Sequence, residues 1–316
     1  MKFSVIIPCH NPGRLILDAL ASVERQTVRA YEIIVINDGS VDGTKDLVKS
    51  SGIDVKYLET DYGNAAAARN AGIRVAEGDW LAFLDADDVW YGDHLLRASR
   101  QLGEGNDVGR LNRHNRLGAK GEIRGEAREI ASAPMSGLDL QDYIDMSKGR
   151  PWFPGMSGCI VSRERAIKVG LLDVTQYRRH DIEFWLRVIN GNTWSYDPAV
   201  CHGYRIDTPG AISRNIPERE LYLFRAFEKN YEVLPKSDRD RVMGYCARRA
   251  MSAALTEGSS KDRAAAWKEV CGRLSITDRA LFQFSLAFPD GFSLINRLRR
   301  KLKPDRPHKV DAPGNR

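Results

Sequence analysis

Three aspartates crowd one short segment, Asp85-Ala86-Asp87-Asp88, directly after the apolar run Trp80-Leu81-Ala82-Phe83-Leu84. Carboxylates this close repel one another, and a hard divalent cation bound through oxygen offsets the repulsion. On an extended strand end Asp85 and Asp87 point to the same side. One can then hold a metal while the other holds a ligand hydroxyl. The alternative is an acidic turn capping the next helix, with Asp88 or Asp93 as N-cap. Two more apolar runs also end in polar clusters, Phe3–Ile7 in Pro8-Cys9-His10-Asn11 and Ile33–Ile36 in Asn37-Asp38-Gly39-Ser40. Farther along, Arg179-His180-Asp181-Ile182-Glu183-Phe184-Trp185-Leu186-Arg187 begins a helical pattern. Asp181 can take a proton from a hydroxyl or cap the helix, and Glu183 with Arg187 forms an i,i+4 pair.

The elements that must position these groups alternate. Short runs predict strands at residues 3–7, 33–36, 55–59 and 80–84, the first two apolar and rich in β-branched residues as buried parallel strands are. Asn11-Pro12 reads as a helix start, with Asn as N-cap and Pro at the first helical position. Further helices are expected at 44–49 and 65–76, the second closed by Gly78. This β-α-β-α order predicts a mostly parallel sheet with helices on both faces. Ligands of such sheets bind outside the carboxyl ends of the strands, where the polar clusters fall. Residues 105–160 are less regular, with a helix expected near 138–146 and a strand at 159–161. A helix at 182–189 and a strand at 200–206 follow, and from residue 216 the pattern is helical with a break at Glu257-Gly258-Ser259-Ser260.

Composition narrows the function classes. The 316 residues are 42% hydrophobic and 28% charged, which excludes a disordered or collagen-like chain. No run approaches the length of a membrane-spanning helix, and no export signal is read at the N-terminus. Five scattered cysteines without a Cys-x-x-Cys argue against a disulfide framework or a zinc site and for a reducing compartment. Residues 291–316 hold eight Lys/Arg against two acids, which accounts for the whole net charge of +6. The rest is neutral, so no nucleic-acid partner is expected.

Four segments together resemble family 2 glycosyltransferases of the GT-A fold. They are Ser4-Val5-Ile6-Ile7-Pro8-Cys9-His10-Asn11, Val35-Ile36-Asn37-Asp38-Gly39-Ser40-Val41-Asp42-Gly43-Thr44, Ala68-Arg69-Asn70-Ala71-Gly72 and Phe83-Leu84-Asp85-Ala86-Asp87-Asp88, collinear within about residues 1–210. The resemblance implies an α/β fold of GT-A type, a mostly parallel sheet flanked by helices, with a helical C-terminal extension. The division it suggests is a nucleotide-sugar-binding half at 1–104, an acceptor-binding half with the catalytic base at 105–214, a helical extension at 215–303 and a flexible basic tail at 304–316. The implied activity is inverting transfer of a sugar from a nucleotide-diphosphate sugar, with a UDP-sugar expected, to a hydroxyl of a glycan or lipid-linked acceptor. Mg²⁺ or Mn²⁺ is the implied cofactor, and surface polysaccharide or glycolipid synthesis the implied setting.

Carried over by residue, the resemblance puts Pro8, His10 and Asn11 in the nucleotide pocket, where the family often has Tyr at the place of His10. Asp38 would accept a hydrogen bond from the base and Arg69 would reach the nucleotide. Without the resemblance, Asp38 reads equally as an Asx-turn residue. Asp85 would contact the ribose, Asp87 the metal bridging the diphosphate, and Asp88 either. Asp181 falls at the catalytic base, with His180 where the family usually has Glu. Asp207 stands where many relatives have a His, as an oxygen ligand for the metal, with His202 as the second candidate. Trp152 and Phe153 would stack on an acceptor sugar or pack in the core.

A metal that neutralises the leaving diphosphate removes the need for a protein acid, so one base suffices, whereas a glycosidase needs two carboxylates across the bond. A nucleotidyltransferase would want a Gly-rich, Lys- and Arg-bearing loop after the first strand, which Pro8-Cys9-His10-Asn11-Pro12-Gly13 is not. The non-enzymatic alternative is a degenerate GT-A-fold protein acting as an interaction partner, supported by His180 and Asp207 alone. Near the C-terminus Phe292, Ile295, Leu298 and Leu302 share one helical face among basic residues. That helix either docks on an anionic membrane surface from the cytoplasmic side or packs on the catalytic domain.

Overall fold

The segment Phe3–Cys9 offers apolar side chains to both sides, and in the computed structural model it forms β1 near the middle of a ten-stranded sheet. The structure describes residues 1–103, 105–127, 130–146, 155–207 and 216–287. β1 lies between β2 (Glu32–Asp38) and β4 (Trp80–Phe83), parallel to both, with β3 (Lys56–Thr60) parallel outside β2. Strand periodicity sends Val5 and Ile7 to one face and Ile6 to the other. Val5 and Ile7 share a core with α1 (Leu15–Glu24), α2 (Thr44–Ser50) and α4 (His94–Gly103). Ile6, Ile34, Ile36 and Phe83 pack with α3 (Ala65–Val75). α3 comes close because Gly72 has no side chain: a Cβ there would meet Ile36 Cδ1 at 2.8 Å and Ile6 Cγ2 at 2.9 Å.

The second half extends the same sheet in mixed orientation. β9 (Cys159–Ser162) runs antiparallel to β4, β6 (Gly109–Leu117) antiparallel to β9, and β10 (Trp194–Arg205) parallel to β6. β5 (Val89–Trp90) closes the far edge, while β7 (Ile123–Glu126) and β8 (Met135–Leu138) pair β6 and β10. The fold is α/β with a mixed, mostly parallel sheet. Among the described residues, the irregular-looking 105–160 region therefore holds β6, β7, β8 and the start of β9, along with α5 (Leu140–Met146). β6 reads as polar, Gly-Arg-Leu-Asn-Arg-His-Asn-Arg-Leu, yet Arg110 and Asn112 are fully buried. Arg110 donates to Asp197 at 2.7 Å and Gln101 at 2.9 Å, so its charge is compensated inside the fold.

The remaining helices are α6 (Arg163–Lys168), α7 (His180–Ile189), α8 (Ile216–Lys229), α9 (Arg239–Glu257), α10 (Ser260–Val270) and α11 (Ile276–Ala287). Phe227, Met243, Cys246 and Val270 of the helical extension share one core with Phe184, Trp185 and Leu186 of α7. The break after α9 is a capping box, Ser259 with Asp262, that starts α10.

Two local expectations are corrected. α1 begins at Leu15 with Arg14 before it, and Asn11 instead takes a left-handed conformation (φ 50°) that serves the neighbouring loop. Gly78 does not cap α3. It is glycine because a Cβ would meet Ser4 Oγ at 2.6 Å and the Lys2 carbonyl at 2.8 Å. All five cysteines are unpaired. Among the described residues no helix is long and apolar enough to cross a membrane. The basic amphipathic segment expected around 292–303, with the tail, lies outside the described residues.

Candidate active site

Parallel register brings the polar clusters to one edge. Cys9 pairs with Asn37 and Asp38 with Thr60. Ile6 pairs with Phe83, and the Leu84 N–H donates to the Ile6 carbonyl at 3.1 Å, which carries Asp85 to the level of Pro8. A cleft of about 460 Å³ opens across these ends and reaches the start of α7. Its lining brings together Pro8, His10, Asn11, Asp38, Arg69, Asp85, Asp87 and Asp181.

On the β1–β2 side the loops are tied to one another. His10 Nδ1 lies 2.6 Å from the Asp38 carbonyl, which can only accept, so Nδ1 carries the proton and Nε2 accepts from Asn11 Nδ2 at 3.1 Å. Asn11 bridges to the β2 loop, its N–H donating to Ser40 Oγ and its Oδ1 accepting from the Val41 N–H, both at 2.8 Å. The Asx-turn role belongs to Asn37, whose Oδ1 accepts from the Ser40 N–H at 3.3 Å. Asp38 is a buried clamp on the β3–α3 loop. Its carboxylate accepts from Thr60 Oγ1 (2.9 Å) and the N–H groups of Tyr62 (2.6 Å) and Asn64 (3.0 Å). Asn64 in turn caps α3 by accepting from the Ala66 and Ala67 N–H groups. Burial, then Asp42 and Asp38, push the Cys9 thiol up to about 12, so it stays a neutral packing group.

The acidic turn divides into different environments. Asp85 pairs with Arg69, whose side chain is 6% exposed, and the other arm of Arg69 donates to His180 Nε2 at 2.9 Å. His180 must then carry its proton on Nδ1. Burial, followed by Arg69, lowers its pKa to about 4, so it is a neutral acceptor. Asp87 lines the cleft; Asp88 does not. Asp88 is 1% exposed, with one oxygen accepting from Ser157 Oγ at 2.6 Å and the other from the Arg205 N–H at 2.9 Å. Burial, then Asp87 and Asp85, raise its pKa well above the ordinary range. Asp88, expected as a second metal ligand, is a buried strut between the turn and β10 and does not line the described cleft.

Ser157, in a single 3₁₀ turn at Met156–Gly158, is the residue that sequence reasoning missed. Its hydroxyl also accepts from the Asp85 N–H at 3.0 Å, and its carbonyl accepts from Trp90 Nε1 at 2.8 Å. The only signal for it was its place between two glycines, in Gly155-Met156-Ser157-Gly158.

Asp181 sits in the first turn of α7, half-buried, with Oδ1 accepting from the Ile182 N–H at 2.9 Å. It is not the N-cap. That position is Arg179, in a left-handed conformation with no side-chain cap. Glu183 and Arg187 do form the expected i,i+4 pair, and it is bidentate, at 2.7 and 2.6 Å. Asp207, expected as a metal ligand, is exposed beyond the end of β10 and is not among the described residues that line the cleft. His202 is fully buried behind the cleft, 2.8 Å from the Asn112 amide, and is structural. Trp152 and Phe153 lie outside the described residues.

Residues 4–161, half of the chain, match the family described as "Glycosyl transferase family 2". The chain belongs to glycosyl transferase family 2. An uncharacterized glycosyltransferase of Rickettsia conorii is 36% identical over 123 residues, 38% of this chain and 20% of that protein. One from Nostoc sp. is 32% identical over 186 residues, 56% of each chain. The amylovoran biosynthesis glycosyltransferase AmsB of Erwinia amylovora is 38% identical over 102 residues, 30% of this chain and 34% of that protein. The chain thus spans between a fifth and just over half of these relatives. Among solved structures, S. aureus TarS 1-349 in complex with UDP-GlcNAc has TM-score 0.71 at 18% identity, covering 98% of this chain and 95% of that one. The mannosyltransferase PcManGT from Pyrobaculum calidifontis, in complex with GDP-Man and Mn²⁺, has TM-score 0.55 at 17% identity, covering 95% and 87%. At these identities the likeness is one of fold, that of GT-A glycosyltransferases.

The donor set fits a shared cation better than a caged one. Among the described residues no group of three or more His, Cys, Asp or Glu side chains could hold a metal ion. The cleft instead offers the hard carboxylates of Asp85 and Asp87, of which Asp85 is paired with Arg69. One or two carboxylates completed by phosphate oxygens and water is a Mg²⁺-type arrangement.

Proposed function

We propose that this chain is an inverting transferase that moves a sugar from a nucleotide-diphosphate sugar to an acceptor hydroxyl. What carries the reading is one cleft lined by Asp38, Arg69, Asp85, Asp87 and Asp181. His10, Asn11 and the Asp38 loop form the nucleoside wall, held by hydrogen bonds that preset its shape. Asp85, kept in place by Arg69 and the Ser157 hydroxyl, is suited to a ribose hydroxyl. Asp87 would hold Mg²⁺ or Mn²⁺, which when bound neutralises charge on the departing diphosphate. Asp181 takes the proton from the acceptor hydroxyl as it attacks the anomeric carbon. His180, neutral beside Arg69, orients that guanidinium without competing for the proton.

A UDP-sugar is the donor we favour, in line with the UDP-GlcNAc held by TarS, and GDP-sugars are the first alternative, since PcManGT holds GDP-Man with Mn²⁺. The acceptor we favour is a glycan or lipid-linked glycan of surface polysaccharide synthesis, a reading supported by the similarity to AmsB, whose name places it in amylovoran biosynthesis. The basic segment 291–316 would suit an anionic membrane surface bearing such acceptors. Release of UDP or GDP from a panel of sugar nucleotides, with Mn²⁺ or with chelator, tests the proposal. Metal-dependent release from at least one donor is expected, and no release or binding across the panel would overturn it.

A further inference from the structure

We propose that Tyr177 is the platform for the acceptor sugar, an exposed ring on an anchored loop of the cleft that stacks on the C–H face of the pyranose carrying the attacking hydroxyl. This deepens the transferase reading and rests on it.

Among the described residues that line the cleft, Tyr177 is the one large apolar side chain left exposed, at 59%. Met156 of the same lining is buried and Tyr204 half-buried. Among the described residues the Tyr177 hydroxyl makes no hydrogen bond, so what the side chain offers is its ring.

The backbone that carries this ring is fastened from two sides. On the α3 side, Asn70 Nδ2 donates to the Leu172 carbonyl at 2.8 Å and Asn70 Oδ1 accepts from the Leu172 N–H at 2.9 Å. Asn64 Nδ2 donates to the Val174 carbonyl at 2.9 Å. On the α8 side, Lys229 pairs with Asp173 at 2.5 Å, and the fully buried Gln176 donates through Nε2 to the Tyr222 carbonyl at 2.6 Å. Gln176 immediately precedes Tyr177, and α7 begins three residues after it. Folding gains nothing from leaving a ring in water, and a tyrosine with two χ angles is ordered at low entropic cost when a ligand covers it. An exposed ring on a pinned backbone, inside a cleft, is surface kept for a ligand.

Position decides which ligand. Tyr177 is on the loop that leads into Asp181, four residues on, so their backbones are at most about 14 Å apart. The nucleoside wall is built instead by His10, Asn11 and the Asp38 loop, at the ends of β1 and β2. The proton that Asp181 takes sits on the acceptor, so a ring on the same loop meets the acceptor. A pyranose carries C–H groups on its faces and hydroxyls at its rim. An aromatic ring in a polar cleft covers the first and leaves the second to the polar groups.

The test uses the full chain and titrates methyl β-glucoside, methyl β-galactoside and methyl β-N-acetylglucosaminide by saturation-transfer NMR. Sorbitol is the control that has the hydroxyls but no ring face. Each titration is run with UDP and Mn²⁺ and again without them. Wild type should bind at least one glycoside and not sorbitol, with saturation strongest at the C–H protons of one ring face. Tyr177→Ala should weaken that binding by about fivefold or more, as removal of an aromatic anchor does. Tyr177→Phe, which keeps the ring and drops the hydroxyl, should restore it. Both variants should melt as wild type does, because the side chain is exposed, and should keep its affinity for UDP and for UDP-GlcNAc. A loss of UDP affinity in Tyr177→Ala would hand the ring to the base, and a loss for UDP-GlcNAc but not UDP would hand it to the donor sugar; either overturns the proposal. So does a wild type that binds UDP but no glycoside, or a Tyr177→Ala protein that binds glycosides normally, and both leave the transferase reading intact. Failure to bind any nucleotide is the separate result that sinks that reading. The comparison of wild type with Tyr177→Ala in the nucleotide-free titrations then still decides the platform.

Discussion

Ser157 holds the acidic turn from behind, and its removal should show how much of the site's geometry depends on it. In Ser157→Ala the buried Asp88 carboxyl loses its 2.6 Å donor and the Asp85 N–H loses its 3.0 Å acceptor. A buried polar group left without its partner costs about 1–3 kcal/mol, so the two losses should destabilise the fold by roughly 2–6 kcal/mol, a large share of a typical ~5–15 kcal/mol. Urea unfolding followed by tryptophan fluorescence reads this well, because Trp90 Nε1 donates to the Ser157 carbonyl. The midpoint should fall with the slope unchanged. The turn also carries Asp85 and Asp87, so UDP affinity in Mn²⁺ should drop about tenfold, or ~1.4 kcal/mol. A cycle with Asp88→Asn should give a coupling of about 1 kcal/mol, as expected for residues in direct contact. A Ser157→Ala protein within about 0.5 kcal/mol of wild type, the range of an unconnected surface change, with normal UDP affinity, would refute the strut.

Other consequences follow from neighbouring contacts. Asp38→Ala frees the Thr60, Tyr62 and Asn64 donors together, so it should destabilise by about 2–4 kcal/mol and weaken UDP binding in the same calorimetric titration. Gly72→Ala gains about 1 kcal/mol of helix propensity but drives a methyl to within 2.8–2.9 Å of Ile36 and Ile6. Overpacking of about 1–3 kcal/mol should win, lowering the melting temperature. Burial, then neighbouring arginines, hold His114 at about 4 and His94 well below its ordinary value. The unfolded chain binds protons at these sites below about 6.5 while the native state does not, so stability should be full above that pH and fall from pH 6.5 toward 4. His114→Gln should flatten that slope in melts taken from pH 8 to 5.

The first half of the sheet was legible in the sequence because burial there follows simple rules. Phe3–Ile7 and Ile33–Ile36 are apolar on both faces, and the polar clusters after them fall at aligned strand ends. β6 was not legible, since Arg110 and Asn112 look like loop residues until Asp197, Gln101 and His94 arrive from elsewhere in the chain to satisfy them. Asn11-Pro12 imitated a helix start because the same residue types serve left-handed loop bridges. Among the site residues, carboxylates could be recognised by spacing, but their division of labour could not. Asp88 differs from Asp87 only by facing Ser157 and Arg205, contacts across 69 and 117 residues of chain. The Arg69–His180 contact spans 111 residues, and the Glu220–Arg249 pair joins helices without a motif.

The central claim is that Asp181 acts as a base and not as a cap. Asp181→Asn keeps the oxygen that accepts from the Ile182 N–H, and Arg179 occupies the N-cap position, so the helix should be indifferent to the change. The decisive measurement is single-turnover sugar transfer by Asp181→Asn, alongside its melting temperature and UDP affinity. Transfer should fall about 10²–10⁴-fold, the usual loss of a general base, with melting and UDP binding unchanged. Near-normal transfer, or a loss matched by an equal loss of UDP affinity or of stability, would contradict the account.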